Sequence, residues 1–305
     1  MADSVIHIKN LHKYYGNTKA VDDISFEVRR GEIFGLVGPN GAGKTTTIEC
    51  IEGLRKPDSG NLKVLGLNPS GNSRLLKKSI GIQMQESELP DRIKVWEAID
   101  LFSSFYNKTI KHDSLLKELG INDKKGAYFG RLSGGQKQRL FIALSLINDP
   151  ELVFLDELTT GLDPQARRTA WELIKSINKK GKTIFLTTHY MEEAEKLCDR
   201  VGVIDHGKLV ALDTPQKLIS KIKAENRLIF SVAGTLDINK LKGMKSISNL
   251  EEVGGKITVY GHDKRMVKDV VNFLVNNDID FYDLRTEQAT LEDTFLALTG
   301  KQIRN

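Results

Sequence analysis

Between Gly38 and Thr46 the chain reads Gly-Pro-Asn-Gly-Ala-Gly-Lys-Thr-Thr, a gapless fit to the pattern GxxxxGK[ST]. Residues of these types at these offsets suit one chemistry, the holding of a polyphosphate. Gly38, Gly41 and Gly43 let successive backbone N–H groups converge on phosphate oxygens, with Asn40 and Ala42 completing the loop. Lys44 is placed to reach the β- and γ-phosphates, the Thr45 hydroxyl to ligate Mg²⁺ and Thr46 to touch the α-phosphate side. A plain glycine-rich turn between a strand and a helix would need neither the lysine nor the hydroxyl. Taken alone, the motif implies nucleotide binding and nothing further.

Other stretches carry groups of a matching kind. The apolar run from Glu151 ends in two adjacent carboxylates, Asp156 and Glu157. Beside a phosphate loop, Asp156 is suited to the Mg²⁺ shell, and Glu157 is left to orient or deprotonate a water. The run Thr183 to Thr187 leads to Thr188-His189. A lone histidine is usually structural, but at the C-terminal end of a parallel strand His189 is a candidate γ-phosphate contact. Gln85 closes the run Ile80 to Gln85 and, read locally, is a polar strand end. Ser133-Gly134-Gly135 stands directly before a helix through Leu140, Leu144 and Ile147. It reads either as an N-cap or as free N–H groups and a positive dipole end aimed at an anion. Tyr15 either packs at a strand end or stacks on a purine.

The elements that must position these groups follow from periodicity. Ile33 to Val37 is an apolar strand and Thr45 to Ile51 suits a helix, so the phosphate loop lies between strand and helix. Short strands are expected at Val5 to Ile8, Ile24 to Val28 and Asn61 to Leu65, with a short helix over Arg74 to Ser79. Residues from Val95 to Leu119 have helical periodicity and form a helical insertion. Asp156-Glu157 and His189 each end a buried strand, which puts them on one edge of a parallel sheet. Pro164 starts a helix over Arg167 to Ile177, and a helix from Met191 to Cys198 precedes strands at Val201 to Asp205 and Leu209 to Leu212.

From about Ala224 the texture changes to short alternating runs, Leu228 to Val232, Lys256 to Tyr260 and Ile279 to Leu284, with a helix from Met266 to Val275. Thr290 caps a last helix that buries Leu291, Phe295 and Leu298. This predicts a small α+β domain over 224–305 after a nucleotide-binding domain over 1–223, whose helical subdomain covers about 86–150.

Composition excludes few classes. A net charge of +5 spread over 305 residues is weak evidence for nucleic acid, and none is expected as a partner. No run approaches the apolar length of a membrane span, and Met1-Ala2-Asp3-Ser4 lacks a leader's basic and apolar regions. A cytoplasmic protein is therefore expected. Cys50 and Cys198 stand far apart without a CxxC pattern, and both read as reduced, partly buried thiols.

The order of motifs carries a resemblance: phosphate loop at 38–46, Gln85, Leu-Ser-Gly-Gly-Gln at 132–136, Leu-Asp-Glu at 155–157, Gly-Leu-Asp at 161–163, and His189. Over about the first 220 residues the chain resembles the ATP-binding subunit of an ABC transporter. The fold implied is an α/β P-loop NTPase (ABC ATPase) core with a helical subdomain, followed by the small α+β domain.

The resemblance assigns the roles left open above. Tyr15 is the adenine-stacking aromatic, and Gln85 touches Mg²⁺ and the attacking water where the membrane part docks. Ser133 and Gly135 contact the γ-phosphate of ATP held by a second subunit, and Asp163 helps set that interface. Glu157 is the general base, His189 the γ-phosphate clamp, and Lys44 joins them in catalysis. Thr45, Gln85 and Asp156 hold the metal. The cofactors implied are ATP and Mg²⁺. The partners implied are a second ATP-binding subunit, in a homodimer or a mixed pair, and an integral-membrane permease that holds the chain on the inner face of the membrane. One departure is Leu158, where the family commonly has proline; φ is freed and an N–H restored, but no chemical group is lost.

The segment from Leu291 to Gly300 is similar to the tail of ATP subunits of bacterial antibiotic- and drug-export systems, which implies export of a drug, antibiotic, peptide or lipid-like substrate. The competing class is a non-transport ABC ATPase acting on ribosomes or nucleic acid. Such proteins typically carry two cassettes or a long coiled coil between loop and signature, and neither is present in this sequence.

Overall fold

The computed structural model describes residues 3–85, 87–221, 226–233, 236, 238–261 and 265–300. Strands β1 (Ser4–Tyr15) and β2 (Thr18–Arg29) form an antiparallel hairpin. They are longer than the short strands expected, because the stretch through Tyr15 continues the ladder across several register shifts and turns back at Gly16, whose φ of 56° a glycine adopts without strain. Strand β3 (Ile33–Val37) then leads into α1 (Lys44–Ile51), followed by β4 (Ser59–Val64), α2 (Pro69–Ser79) and β5 (Ile80–Gln83).

The helical insertion is two helices, α3 (Val95–Ser103) and α4 (His112–Glu118), separated by a loop at 104–111. The apolar spacing on either side masked this break. The order continues with α5 (Gly134–Leu146), β6 (Leu152–Asp156), α6 (Pro164–Lys179), β7 (Thr183–Thr188), α7 (Met191–Leu197), β8 (Arg200–Asp205) and β9 (Lys208–Asp213).

Six of these strands form a sheet in the order β5-β6-β7-β3-β8-β9, parallel except for the β8–β9 hairpin. Strands β3, β6 and β7 are buried along their whole length, as expected of a parallel sheet covered on both faces. A second, antiparallel sheet β2-β1-β4 packs on it. The two are locked by stacked aromatics: Phe26 of β2 lies 5.0 Å from Phe34 of β3, centroid to centroid, and Phe34 lies 5.4 Å from Phe185 of β7. Cys50 and Cys198 are free and buried.

The chain separates into two compact units, one up to Pro215 and one from Gln216. The division expected between 223 and 224 lies outside the described residues. Helix α8 (Pro215–Lys221) stands at the division. The second unit contains β10 (Asn226–Val232), α9 (Ile238–Lys242), β11 (Asn249–Val253), β12 (Lys256–Gly261), α10 (Met266–Asn276), β13 (Phe281–Glu287) and α11 (Leu291–Thr299). Its antiparallel sheet has the order β11-β12-β10-β13, which makes a βαββαβ unit of the ferredoxin-like kind. The core of this unit is Leu228, Phe230, Leu250, Val259, Met266, Val270 and Leu274 with their neighbours.

Thr290 caps α11 in a reciprocal capping box with Asp293. Leu291 and Phe295 are buried as expected. Leu298 is not: it is 40% exposed, and Thr294 takes the third buried position on the helix. Spacings of three and four residues suffice to cover the contact face, so the last turn projects beyond it.

Candidate phosphate and metal site

The phosphate loop is held by its neighbours' backbone. Gly207, in the β8–β9 turn, donates its N–H to the Ala42 carbonyl at 2.9 Å. Gly43 has φ 101°, and a Cβ there would stand 2.1 Å from the Ala20 carbonyl oxygen. The loop therefore needs glycine at that point for both conformation and space. α1 starts on Lys44 itself, whose Nζ donates to the carbonyls of Gly38 at 2.9 Å and Pro39 at 3.2 Å.

A cavity of about 530 Å³ opens over this loop, with Asn40, Gly41, Gly43, Lys44, Thr45 and Thr46 on one side and Gln85 and Glu157 on another. Gly38 and Ala42 lie behind it as buried backbone. The lining also includes Thr18, Lys19, Ala20 and His206, which the sequence did not single out. Thr18, Lys19 and Ala20 come from the start of β2 and His206 from the β8–β9 turn, and no local pattern marks either as a cavity wall.

Because β7 lies between β6 and β3, all three strands deliver their C-terminal ends to one edge. Glu157 is the meeting point. Its Oε1 lies 3.3 Å from Lys44 Nζ, and its Oε2 accepts from Gln85 Nε2 at 3.2 Å and faces His189 Nδ1 at 3.2 Å. Thr160 donates its hydroxyl to the same oxygen at 3.4 Å. Glu157 itself has φ 48°, a left-handed backbone that non-glycine residues rarely adopt, and its N–H is held by the Thr187 carbonyl and hydroxyl, each at 3.1 Å. Gln85 stands two residues beyond β5, which ends at Gln83 and not at Gln85 as expected.

Asp156 is buried and accepts a short hydrogen bond from the Thr187 hydroxyl. Burial pushes its carboxyl above the usual range; the Thr187 bond opposes the rise and the neighbouring Glu157 charge adds to it. Thr187 was missed in the sequence, since its pairing with Asp156 comes from the parallel register of β6 and β7.

Asp156, Thr45 and Gln85 line one recess of about 240 Å³ with Glu49 and Glu52. A hydroxyl, a carboxamide and a carboxylate are hard oxygen donors that fit Mg²⁺. Among the described residues, no group of three or more His, Cys, Asp or Glu could hold a metal by itself. The set therefore suits an ion that takes its remaining ligands from phosphate and water.

Tyr15, Ser133, Gly135, Asp163 and His189 do not line the cavity, although His189 reaches it through Glu157. Tyr15 is 41% exposed, with the Arg55 guanidinium 5.3 Å and Lys13 Nζ 5.6 Å from its ring centroid. Ser133 N-caps α5 in a capping box with Gln136, so the N-cap reading holds for its side chain; neither it nor Gly135 lines the cavity. Asp163 N-caps α6, accepting from the N–H groups of Gln165 and Ala166 at 2.9 Å each. Among the described residues no helix is long and apolar enough to cross a membrane.

The chain is similar to known proteins over most of its length. The ABC transporter family profile matches residues 21–160. Nod factor export ATP-binding protein I of Ralstonia nicotianae is 37% identical, over 99% of this chain and 95% of that protein. Linearmycin resistance ATP-binding protein LnrL of Bacillus subtilis is 34% identical, over 99% of this chain and all of that protein. Among solved structures, cbiO1 from Clostridium perfringens, part of the ABC transporter complex cbiONQ, superposes with a TM-score of 0.65 at 28% identity, covering 72% of this chain and 92% of that one. The chain belongs to the ABC transporter family, with the P-loop ABC ATPase fold of its ATP-hydrolysing subunits.

Proposed function

We propose that two copies of the nucleotide-binding unit, from this chain or a paired subunit, close head to tail on two MgATP molecules. Each chain's Ser133 and Gly135 then meet the γ-phosphate held by the other's phosphate loop, with Asp163 beside them at the interface. The observation that carries this reading is the separation within one chain. Lys44, Gln85 and Glu157 share a cavity, while Ser133 and Gly135 do not line it.

Within each site, Lys44, Asn40 and the loop N–H groups hold the phosphates and Tyr15 stacks on adenine. Thr45, Asp156 and Gln85 hold Mg²⁺, which offsets phosphate charge. Glu157 accepts a proton from the attacking water as the γ-phosphorus–oxygen bond to ADP breaks, and His189 and Lys44 stabilise the transferred group. Closure and hydrolysis drive a separate permease that carries a drug, antibiotic, peptide or lipid-like molecule outward. Full-length likeness to proteins named for Nod factor export and linearmycin resistance supports export, and no observation favours action on ribosomes or nucleic acid.

The test is co-purification of the chain with its membrane partner and reconstitution in vesicles. We expect ATP hydrolysis to rise when the partner is present, with outward movement of a lipophilic probe dye. Hydrolysis indifferent to every co-purified membrane protein would contradict the reading.

A further inference from the structure

Behind His189 lies a buried polar cluster that the reaction scheme does not use. Glu193, on α7, is 2% exposed. Its Oε1 accepts the Trp171 indole N–H at 2.9 Å, so a residue in the first turn of α7 is tied to the middle of α6. Burial pushes the Glu193 carboxyl upward, while the neighbouring Thr188 hydroxyl, the Trp171 indole N–H and the Arg167 charge pull against that rise. One turn nearer the start of α6, the Arg167 guanidinium lies over the Tyr190 ring at 4.1 Å, and the other neighbour of that ring is His189, 4.1 Å away between centroids. The Tyr190 N–H is held by the Thr188 hydroxyl at 3.0 Å.

These contacts close a circuit. From Glu157 the chain runs through Thr160 to Asp163, which caps α6. That helix carries Arg167 and Trp171, which grip Tyr190 and Glu193 on either side of the start of α7. His189, directly before Tyr190, returns to Glu157 through its Nδ1 at 3.2 Å. The links are hydrogen bonds, ring contacts and short stretches of chain, and the last is a charge-range approach of His189 Nδ1 to the Glu157 carboxylate.

We propose that Glu193 is a positioning residue: with Trp171 and Arg167 it fastens the segment carrying His189 to α6, so that His189 and the loop ending at Asp163 move as one body. Contact of a second subunit at Asp163 is then felt at His189, and the γ-phosphate clamp is set only when the dimer closes. This inference rests on the reading of His189 and Asp163 given above.

The test uses the full chain and MgATP. It measures kcat, KM and thermal midpoint for Glu193→Leu, Glu193→Gln and Trp171→Phe, each alone and combined with His189→Ala, with single-turnover phosphate release for slow variants. Glu193→Leu is expected to lower kcat about tenfold, the scale of a small misplacement of a reacting group, with KM for ATP changed less than about twofold. Glu193→Gln keeps an oxygen for the indole and should retain at least about half the native kcat. With His189 already alanine, Glu193→Leu should add no further loss, because positioning through His189 has nothing left to position. Should Glu193→Leu not fold, Trp171→Phe, which keeps an aromatic ring and removes the N–H, carries the same expectation. A variant that melts earlier yet keeps native kcat, or that loses the same factor with and without His189, would reduce the cluster to a packing role. Native kcat in His189→Ala alone would overturn the reading of the clamp, and the inference with it.

Discussion

Lys44 Nζ and Glu157 Oε1 lie 3.3 Å apart, both on side chains that are almost wholly buried. The first residue of α1 and the residue after β6 are thus joined across the phosphate cavity, and a phosphate that draws on the Lys44 charge competes with Glu157 for it. A buried pair of this kind is costly to break from one side. Glu157→Gln keeps the shape and an oxygen for Lys44 but removes the carboxylate proposed as the base. It is expected to bind MgATP and to hydrolyse it at least ~100-fold more slowly. Steady-state phosphate release checks this, and a native rate would remove Glu157 from the role of base.

Gly43 has a backbone conformation that side chains rarely adopt, with the Ala20 carbonyl against the position of a Cβ. Gly43→Ala should therefore deform the loop, at a cost of about 1–3 kcal/mol in strain, and weaken nucleotide binding more than it lowers the melting temperature. Titration with a fluorescent ATP analogue, alongside a thermal melt, separates the two effects.

In the second unit Asp293 is partly buried, which alone would raise its pKa. The Thr290 N–H and hydroxyl and the Arg227 guanidinium outweigh that and hold it below the usual carboxylate range. A depressed folded pKa means that the stabilisation is complete above the unfolded value of about 4 and is lost as pH falls through the folded value. As pH falls below about 4, the protection of the α11 amides against exchange, taken relative to the intrinsic rate at each pH, should drop more steeply in the native chain than in Asp293→Asn.

Each residue assigned to phosphate, metal, water or adenine lies before position 190, within the first compact unit. A chain ending at Lys221 is expected to fold and to bind MgATP with native affinity, while its association with a second subunit or with the permease weakens. Loss of MgATP binding in a folded truncation would show that the second unit completes the nucleotide site.

The sequence made the phosphate loop, the Asp156-Glu157 pair and the strand ends carrying them legible, because each is a local string whose residue types have few other uses together. The C-terminal α+β unit was legible through its alternating runs, but α9 and β11 were missed: one is a single short turn, and the other, Asn-Leu-Glu-Glu-Val, buries only Leu250. Thr187 and the cavity wall formed by the start of β2 and His206 were hidden for a different reason. Their roles come from parallel register and from distant loops meeting, which no spacing along one chain encodes. The motif at Ser133 shows the limit most plainly, since its visible local role is a helix cap and the role proposed for it needs another subunit.

That role is the central claim, and Ser133→Arg tests it most directly. Gel filtration of Glu157→Gln with and without Ser133→Arg, at saturating MgATP, is combined with measurement of nucleotide affinity at dilutions where the chain is monomeric. The account predicts a dimer for Glu157→Gln, none for the double variant, and the same monomer affinity in both. Loss of ATP affinity in the Ser133→Arg monomer would contradict it, because the signature would then act on the phosphate bound by its own chain.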